Sequence, residues 1–213
     1  MRHPARCCLV LALAAPMALA AGCSDSGDPA QARPPATAAG SVADALPLTA
    51  RVVQGDELAG FTAPPALALD LAAISGENEV SAVELRRRGM VRAAKTELSG
   101  PPMAFGISAV AELRTPAQAR AEAARLLAVN GSSEPGLAAR AITVTGIPGA
   151  RGARKTGRRD GQDFVAFEVV WADGVRAHEL FVLGRAGDVR QADVLAAAAA
   201  VHARTAGEPA GGD

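Results

Sequence analysis

The sequence predicts an α+β domain: one mostly antiparallel sheet covered by about three helices, preceded by a signal peptide and a disordered tether. Three observations carry this expectation. Apolar residues alternate through Met103, Phe105, Ile107, Ala109, Ala111 and Leu113, the period of a strand with one apolar face. Two further runs, 162–171 and 175–183, flank Asp173-Gly174, a strong hairpin signal. Alanine-rich helices follow the strands, and they must bury their small-residue faces on the sheet that short turns between consecutive strands create.

Taken in order, residues 48–74 are ambiguous: 57–62 reads as an edge strand, and 67–74 as either strand or helix. Residues 78–88 read as a helix with Val80, Val83 and Leu85 apolar, Arg86 to Arg88 in its last turn and Gly89 as its stop. A weak strand at 90–98 precedes the alternating strand. Thr115-Pro116 opens the next helix, with Thr115 as N-cap, Pro116 at the first helical position and Gln118 completing a capping box. Asn130-Gly131 ends it. A short β-branched strand is expected at 141–145, then a loop over 146–161, the hairpin, and a last helix from Asp188 to about residue 204. The strand–strand–helix unit recurs at 90–129 and 162–204 without residue-level identity between the copies.

Composition narrows the function classes. The chain has 213 residues, with 22 Lys+Arg against 22 Asp+Glu. Balanced charge argues against a nucleic-acid binder, whose affinity needs surplus cations to displace phosphate counterions. All three Cys precede residue 24, so neither a disulfide scaffold nor a thiolate zinc site is expected in the folded part.

The N-terminus has the layout of an export signal. Arg2 and Arg6 form a cationic start, and residues 7–21 form an apolar stretch too short to span a bilayer. The segment Leu19-Ala20-Ala21-Gly22-Cys23 resembles the lipobox of bacterial lipoproteins, with Ala20 where Leu is commoner. The resemblance implies cleavage before Cys23 and diacylglycerol on its thiol. Removing Arg2 and Arg6 leaves 20 cations against 22 acids, a net of −2. At ~0.8 kcal/mol per buried CH₂, more than one acyl chain makes a stable anchor. The expected organisation is signal peptide 1–22, lipidated Cys23 and linker to 47, α+β domain 48–205 and disordered tail 206–213. The linker and tail are too polar and too rich in Pro and Gly to offset chain entropy.

Three groups are candidates for chemistry. With Asp173-Gly174 as a two-residue loop, Glu168 is expected opposite Glu179, on a face shared with Phe164, Ala166, Phe181 and Leu183. Two opposed carboxylates repel unless a shared proton or a cation holds them, which is the geometry of acid–base work or of a hard divalent ion. Solvated acids reaching Arg side chains are the commoner outcome. The second group is the basic run Arg151, Arg154, Lys155, Arg158 and Arg159, suited to acidic lipid headgroups, teichoic-type polymers or an acidic partner, although an arginine-rich solvated loop is commoner. It fails as a nucleotide loop: Arg154 stands where the glycine before the lysine belongs, and a turn follows where a helix is needed. The third group is His178 and His202, which lack metal-ligand spacing. No Gly-x-Ser-x-Gly elbow occurs. No cofactor is expected.

Glu57-Leu58-Ala59-Gly60-Phe61, Arg88-Gly89-Met90-Val91, the Ala/Arg-rich helix after Thr115-Pro116, and Gly146-Ile147-Pro148-Gly149-Ala150 together look like a recurrent layout. It is similar to small envelope lipoproteins of GC-rich Gram-positive bacteria, some carrying PsbP-like domains. The resemblance carries over no functional residues, but it implies an extracytoplasmic binding or accessory role for an envelope component or protein partner, anchored to the cell membrane. The alternatives are a cation-assisted hydrolase or lyase using Glu168 and Glu179, and a carrier of a lipid or other apolar ligand.

Overall fold

A computed structural model describes residues 46–78, 80–132, 138–159 and 161–206. The elements run β1 (Leu67–Leu69), α1 (Leu71–Asn78), α2 (Ala82–Arg87), β2 (Met90–Ser99), β3 (Phe105–Leu113) and α3 (Pro116–Ser132). They continue with β4 (Ala138–Ile142), β5 (Arg151–Arg159), β6 (Gln162–Asp173), β7 (Arg176–Arg185) and α4 (Gln191–Thr205). A 3₁₀ turn, Leu48–Arg51, precedes them. All seven strands join one sheet in the order β1-β2-β3-β7-β6-β5-β4, and every neighbouring pair is antiparallel.

Local chemistry explains most boundaries. The ambiguity at 67–74 resolves into both elements, because Asp70 accepts from the Ala73 N–H at 2.8 Å and starts α1 directly after the strand. Thr115 caps α3 by accepting from Gln118 N–H, as the sequence implied, whereas the helix expected over 78–88 starts only at Ala82, capped by Ser81, which accepts from Glu84 N–H. The last helix starts later than expected. Asp188 lies in a turn and Arg190 holds the N-cap position, with its guanidinium on Asp193. The expected edge strand at 57–62 is a series of turns, with isolated bridges from Gly55 to Ala63 and from Thr62 to Ser99 in place of a ladder. Its Leu58 and Phe61 are core residues nonetheless.

Both faces of the sheet are covered, and this sets the burial pattern. One face, here the α4 face, carries Val165, Phe167, Val169, Trp171, Leu180 and Val182 against Val194, Ala197, Ala198 and Val201 of α4. Val53, Leu58, Phe61 and Ile147 complete that core. Beside it the 3₁₀ turn packs Leu48 and Val52 on Ala94 and Val110. The opposite α3 face packs Leu113, Val170 and Ala177 under Ala119 and Ala123, while Ile74, Val80 and Leu85 cover Met90 and Ala93 at the β2 side. Val165 to Trp171 is therefore buried at every position, as a strand covered on both faces must be.

Two arginines fasten the N-terminal segment to α4. Arg204 donates to the Ala50 and Val52 carbonyls at 2.9 and 2.7 Å and pairs with Glu57. Arg51, fully buried, reaches back to the Thr205 carbonyl at the helix C-terminus and to the Leu46 carbonyl. Cations there complement the negative end of the helix dipole.

Gly89 stops α2 at φ +88°, and a Cβ on it would lie 2.3 Å from the end of the Gln118 side chain. Replacing it with Ala forces a left-handed conformation and displaces Gln118 from Thr115. The expected loss is about 1–2 kcal/mol in denaturant unfolding. A change within 0.3 kcal/mol would refute this account of the helix stop.

Candidate functional site

The hairpin that was to oppose Glu168 and Glu179 has a different register. Asp173 pairs with Arg176, so Gly174-Val175 is the two-residue turn, with Gly174 at φ +55°. That first turn position needs a left-handed φ, which Gly adopts freely and Asp does not. Every β6 residue consequently meets a partner two places further along than expected. Glu168 faces Phe181, Glu179 faces Val170, and Trp171 faces His178. A shift of two preserves sheet faces. The two acids remain on the α3 face, as diagonal neighbours rather than an opposed pair.

The expected basic loop is also corrected. Residues 151–159 form β5, paired to β6 from Arg151↔Val170 to Arg159↔Gln162 across Gly161 at φ +77°. As a strand it sends its cations to opposite faces. Lys155, opposite Ala166, enters the α3 face and is 3% exposed. Arg154 and Arg158 lie on the α4 face and are exposed, and Arg151 is exposed on the α3 face. The five residues do not form one cluster. Arg159 pairs with Gln162 at the strand end.

Lys155 and Glu168 instead meet each other. Lys155 Nζ donates to Glu168 Oε2 at 3.0 Å, where Glu168 is 0% exposed, and Nζ also stands 5.7 Å from the centroid of Phe181. Above the sheet, Glu122 of α3 is buried and pairs with Arg125, whose Nε donates to it at 2.9 Å. Burial works against the Arg125 charge, but the hydrogen bond and charge of Glu122, with a contribution from Glu179, raise its pKa. The α3 face therefore holds alternating charges, Glu122, Arg125 and Glu179, next to the Lys155–Glu168 pair. Among the described residues no group of three His, Cys, Asp or Glu is placed to hold a metal ion.

Beside these charges the sheet is open. Phe105 is 42% and Met103 57% exposed. Phe105 contacts Phe181 at 6.1 Å between ring centroids and faces Leu183 across the strands. Ile107, Phe181 and Leu183 are half-buried. On the β2 side the strip is bordered by Lys95, which pairs with Glu77 and Glu97. An apolar floor with charged groups at its margin suits an amphipathic ligand or a partner surface. The sequence singled out Phe105 and Phe181 only as strand residues, and their exposure depends on how far α1–α2 and α3 reach over the sheet.

His178, for which the sequence offered no metal-ligand spacing, is 0% exposed and stacks on Trp171 at 4.6 Å and 4°. Burial first, and then the charge of Arg51, push its pKa down to about 3. It sits beneath the 3₁₀ turn and α4, on the face opposite the Lys155–Glu168 pair. Cys23 lies outside the described residues, as do the rest of 1–45 and the tail 207–213. No described helix is long and apolar enough to cross a membrane.

No protein-family model and no curated protein matches the chain. Among solved structures the chain is similar to the extracellular domain of PknH from Mycobacterium tuberculosis. That likeness has 11% identity, covers 75% of this chain and 92% of that one, and has a TM-score of 0.49.

Proposed function

We propose that this chain is a lipid-anchored, extracytoplasmic module of the cell envelope that binds a ligand or partner rather than turning over a substrate. The observation that carries the binding half is the engagement of Glu168. Its carboxylate is buried and bonded to Lys155, so it is not offered to a substrate or a solvated cation. The rival hydrolase or lyase thereby loses its first carboxylate, while the apolar strip from Met103 to Phe181 gives the binding reading a surface. Support for the anchor comes from the sequence around Cys23 and the cationic, apolar segment before it. The apolar-ligand alternative shares the same strip and is separated by what occupies it.

Growth with a radiolabelled or clickable fatty acid should label the wild-type protein and partition it with membranes. Cys23→Ser should be unlabelled and leave the membrane fraction. Unlabelled wild-type protein free in the medium would overturn the anchor. For the strip, Phe105→Asp should abolish capture of the bound ligand or partner while leaving the unfolding midpoint close to wild type. Capture unchanged in that variant would remove the strip from the function.

A further inference from the structure

Arg140 and Arg154 stand directly opposite each other on β4 and β5. Both are exposed, and Arg154 in turn faces Phe167, which puts the pair on the α4 face of the sheet. Directly opposed residues of antiparallel strands carry their Cβ atoms about 5 Å apart, and like charges at that spacing repel. An arginine cannot relieve the repulsion by losing its proton. Three other arginines of the sheet have acids: Arg92 and Arg176 share Glu112, and Arg158 is 3.6 Å from Asp163. Neither Arg140 nor Arg154 has a hydrogen bond or ion pair among the described residues. On the same face the strand neighbour Ala138 is too small to shade the guanidinium groups. The exposed Thr156, opposite Ala138, adds a hydroxyl on the same face.

A single charge on β4 is accounted for by its place at the sheet edge, where cations discourage pairing with another chain. That does not account for a second guanidinium one strand further in. We infer that Arg140 and Arg154 together bind a phosphoryl oxyanion, with the Thr156 hydroxyl as a further donor. Two planar guanidinium groups on one rigid strand pair match the oxygens of a phosphate bidentately, and the anion removes the repulsion that the register builds in. The site is on the opposite sheet face from Phe105 and Phe181, so it stands independently of the reading proposed for that strip. The phosphoryl group comes either from a soluble phosphate compound or from a phospholipid headgroup.

The test is calorimetric titration of the full chain at low ionic strength. One arm uses inorganic pyrophosphate and the other short-chain phosphatidylglycerol below its micelle concentration, with phosphatidylcholine as the control lipid. Saturable binding is expected, weakened by salt and lowered about tenfold or more by Arg140→Gln and by Arg154→Gln. The exposed Arg120→Gln on α3 should bind as wild type. Both arginine variants should keep or slightly raise the unfolding midpoint, because each removes a like-charge contact. Binding of pyrophosphate alone supports the site and assigns it to soluble phosphates. Binding of phosphatidylglycerol but not phosphatidylcholine supports it and assigns it to headgroups. No saturable binding in either arm, or equal binding by wild type and both arginine variants, overturns it.

Discussion

Lys155→Met should cost about 3–5 kcal/mol of unfolding free energy. The substitution keeps the side chain's length and apolar stem but leaves the Glu168 carboxylate, at 0% exposure, without the ammonium that now stands 3.0 Å away. A buried charge that loses an ammonium partner loses that share of the Coulombic return on its desolvation while the desolvation remains. Removing both charges should reverse most of the loss: Lys155→Met with Glu168→Met is expected within about 1 kcal/mol of wild type, and either sign is consistent with a buried pair. Urea unfolding of the two single variants, the double variant and wild type gives the coupling directly. The surface pair Arg190–Asp193, whose arginine side chain is 72% exposed, is the internal comparison and should contribute under about 1 kcal/mol. If Lys155→Met loses less than 1 kcal/mol, the carboxylate is not held as described, and the case against acid–base chemistry at Glu168 weakens with it.

The α+β architecture was legible because its strongest signals are local. Thr115, Gly89 and the β3 alternation act within a few residues, and each reappears in the structure. What was not legible depends on the second covered face. On β3 the alternation points to Phe105, Ile107 and Ala109 as the inward side, yet Gly106, Ser108 and Val110 are the more deeply buried. A polar residue is tolerated there because Ser108 Oγ accepts from the Val53 N–H at 3.0 Å, a partner 55 residues away that no local pattern reveals.

The sequence presents strand β5 as a loop for a related reason. Its inward residues are Gly152, Ala153 and Lys155, so the apolar alternation that marks a strand is missing, and its pairing is imposed by the strongly patterned β6. One signal was present: Asp160-Gly161 is the same hairpin dipeptide as Asp173-Gly174. The composition held a second hint. This chain uses Arg for 20 of its 22 cations, which makes the Lys at 155 conspicuous. The carboxylate site failed by two residues of register, a quantity set by which turn position Gly174 fills. The apolar strip was not legible at all, because exposure on a sheet depends on where helices stop.

Acidification from pH 7 should destabilise the fold well before the carboxylates titrate, and His178 is the group responsible. Its ring is fully buried against Trp171, faces Val110 on β3, and has two arginines beside it, Arg51 from the 3₁₀ turn and Arg176 on its own strand, with His202 of α4 near them. The nearby acid, Glu112, is shared between Arg92 and Arg176. Burial and then the Arg51 charge hold the folded pKa down at about 3, opposed by a backbone hydrogen bond at Arg51, with smaller contributions to the depression from Arg176 and His202. In the unfolded chain the same group takes a proton near its ordinary value of about 6.5. The unfolded state therefore binds protons first, and stability falls as pH drops below that value, by up to ~1.4 kcal/mol per pH unit, until the folded ring also protonates near pH 3. Glu84, whose pKa is lowered to about 2 by its hydrogen bonds to Arg87 and then Arg88, loses its own contribution only below its ordinary value of 4.5. The interval between 6.5 and 4.5 is therefore free of Glu84, and substitution at His178 assigns the slope that remains there. Trp171 is the single tryptophan of the chain and reports on the stacked pair itself. Urea unfolding followed by its emission at pH 7.5, 6, 5 and 4.5 should show a falling free energy in wild type. His178→Phe keeps a flat ring against the indole and should flatten the curve across that interval. A wild-type stability that is level from pH 7 to 5, or a variant with an unchanged slope, would show that the ring accepts its proton in place and that the clasp of Arg51 and Arg204 over it yields without unfolding.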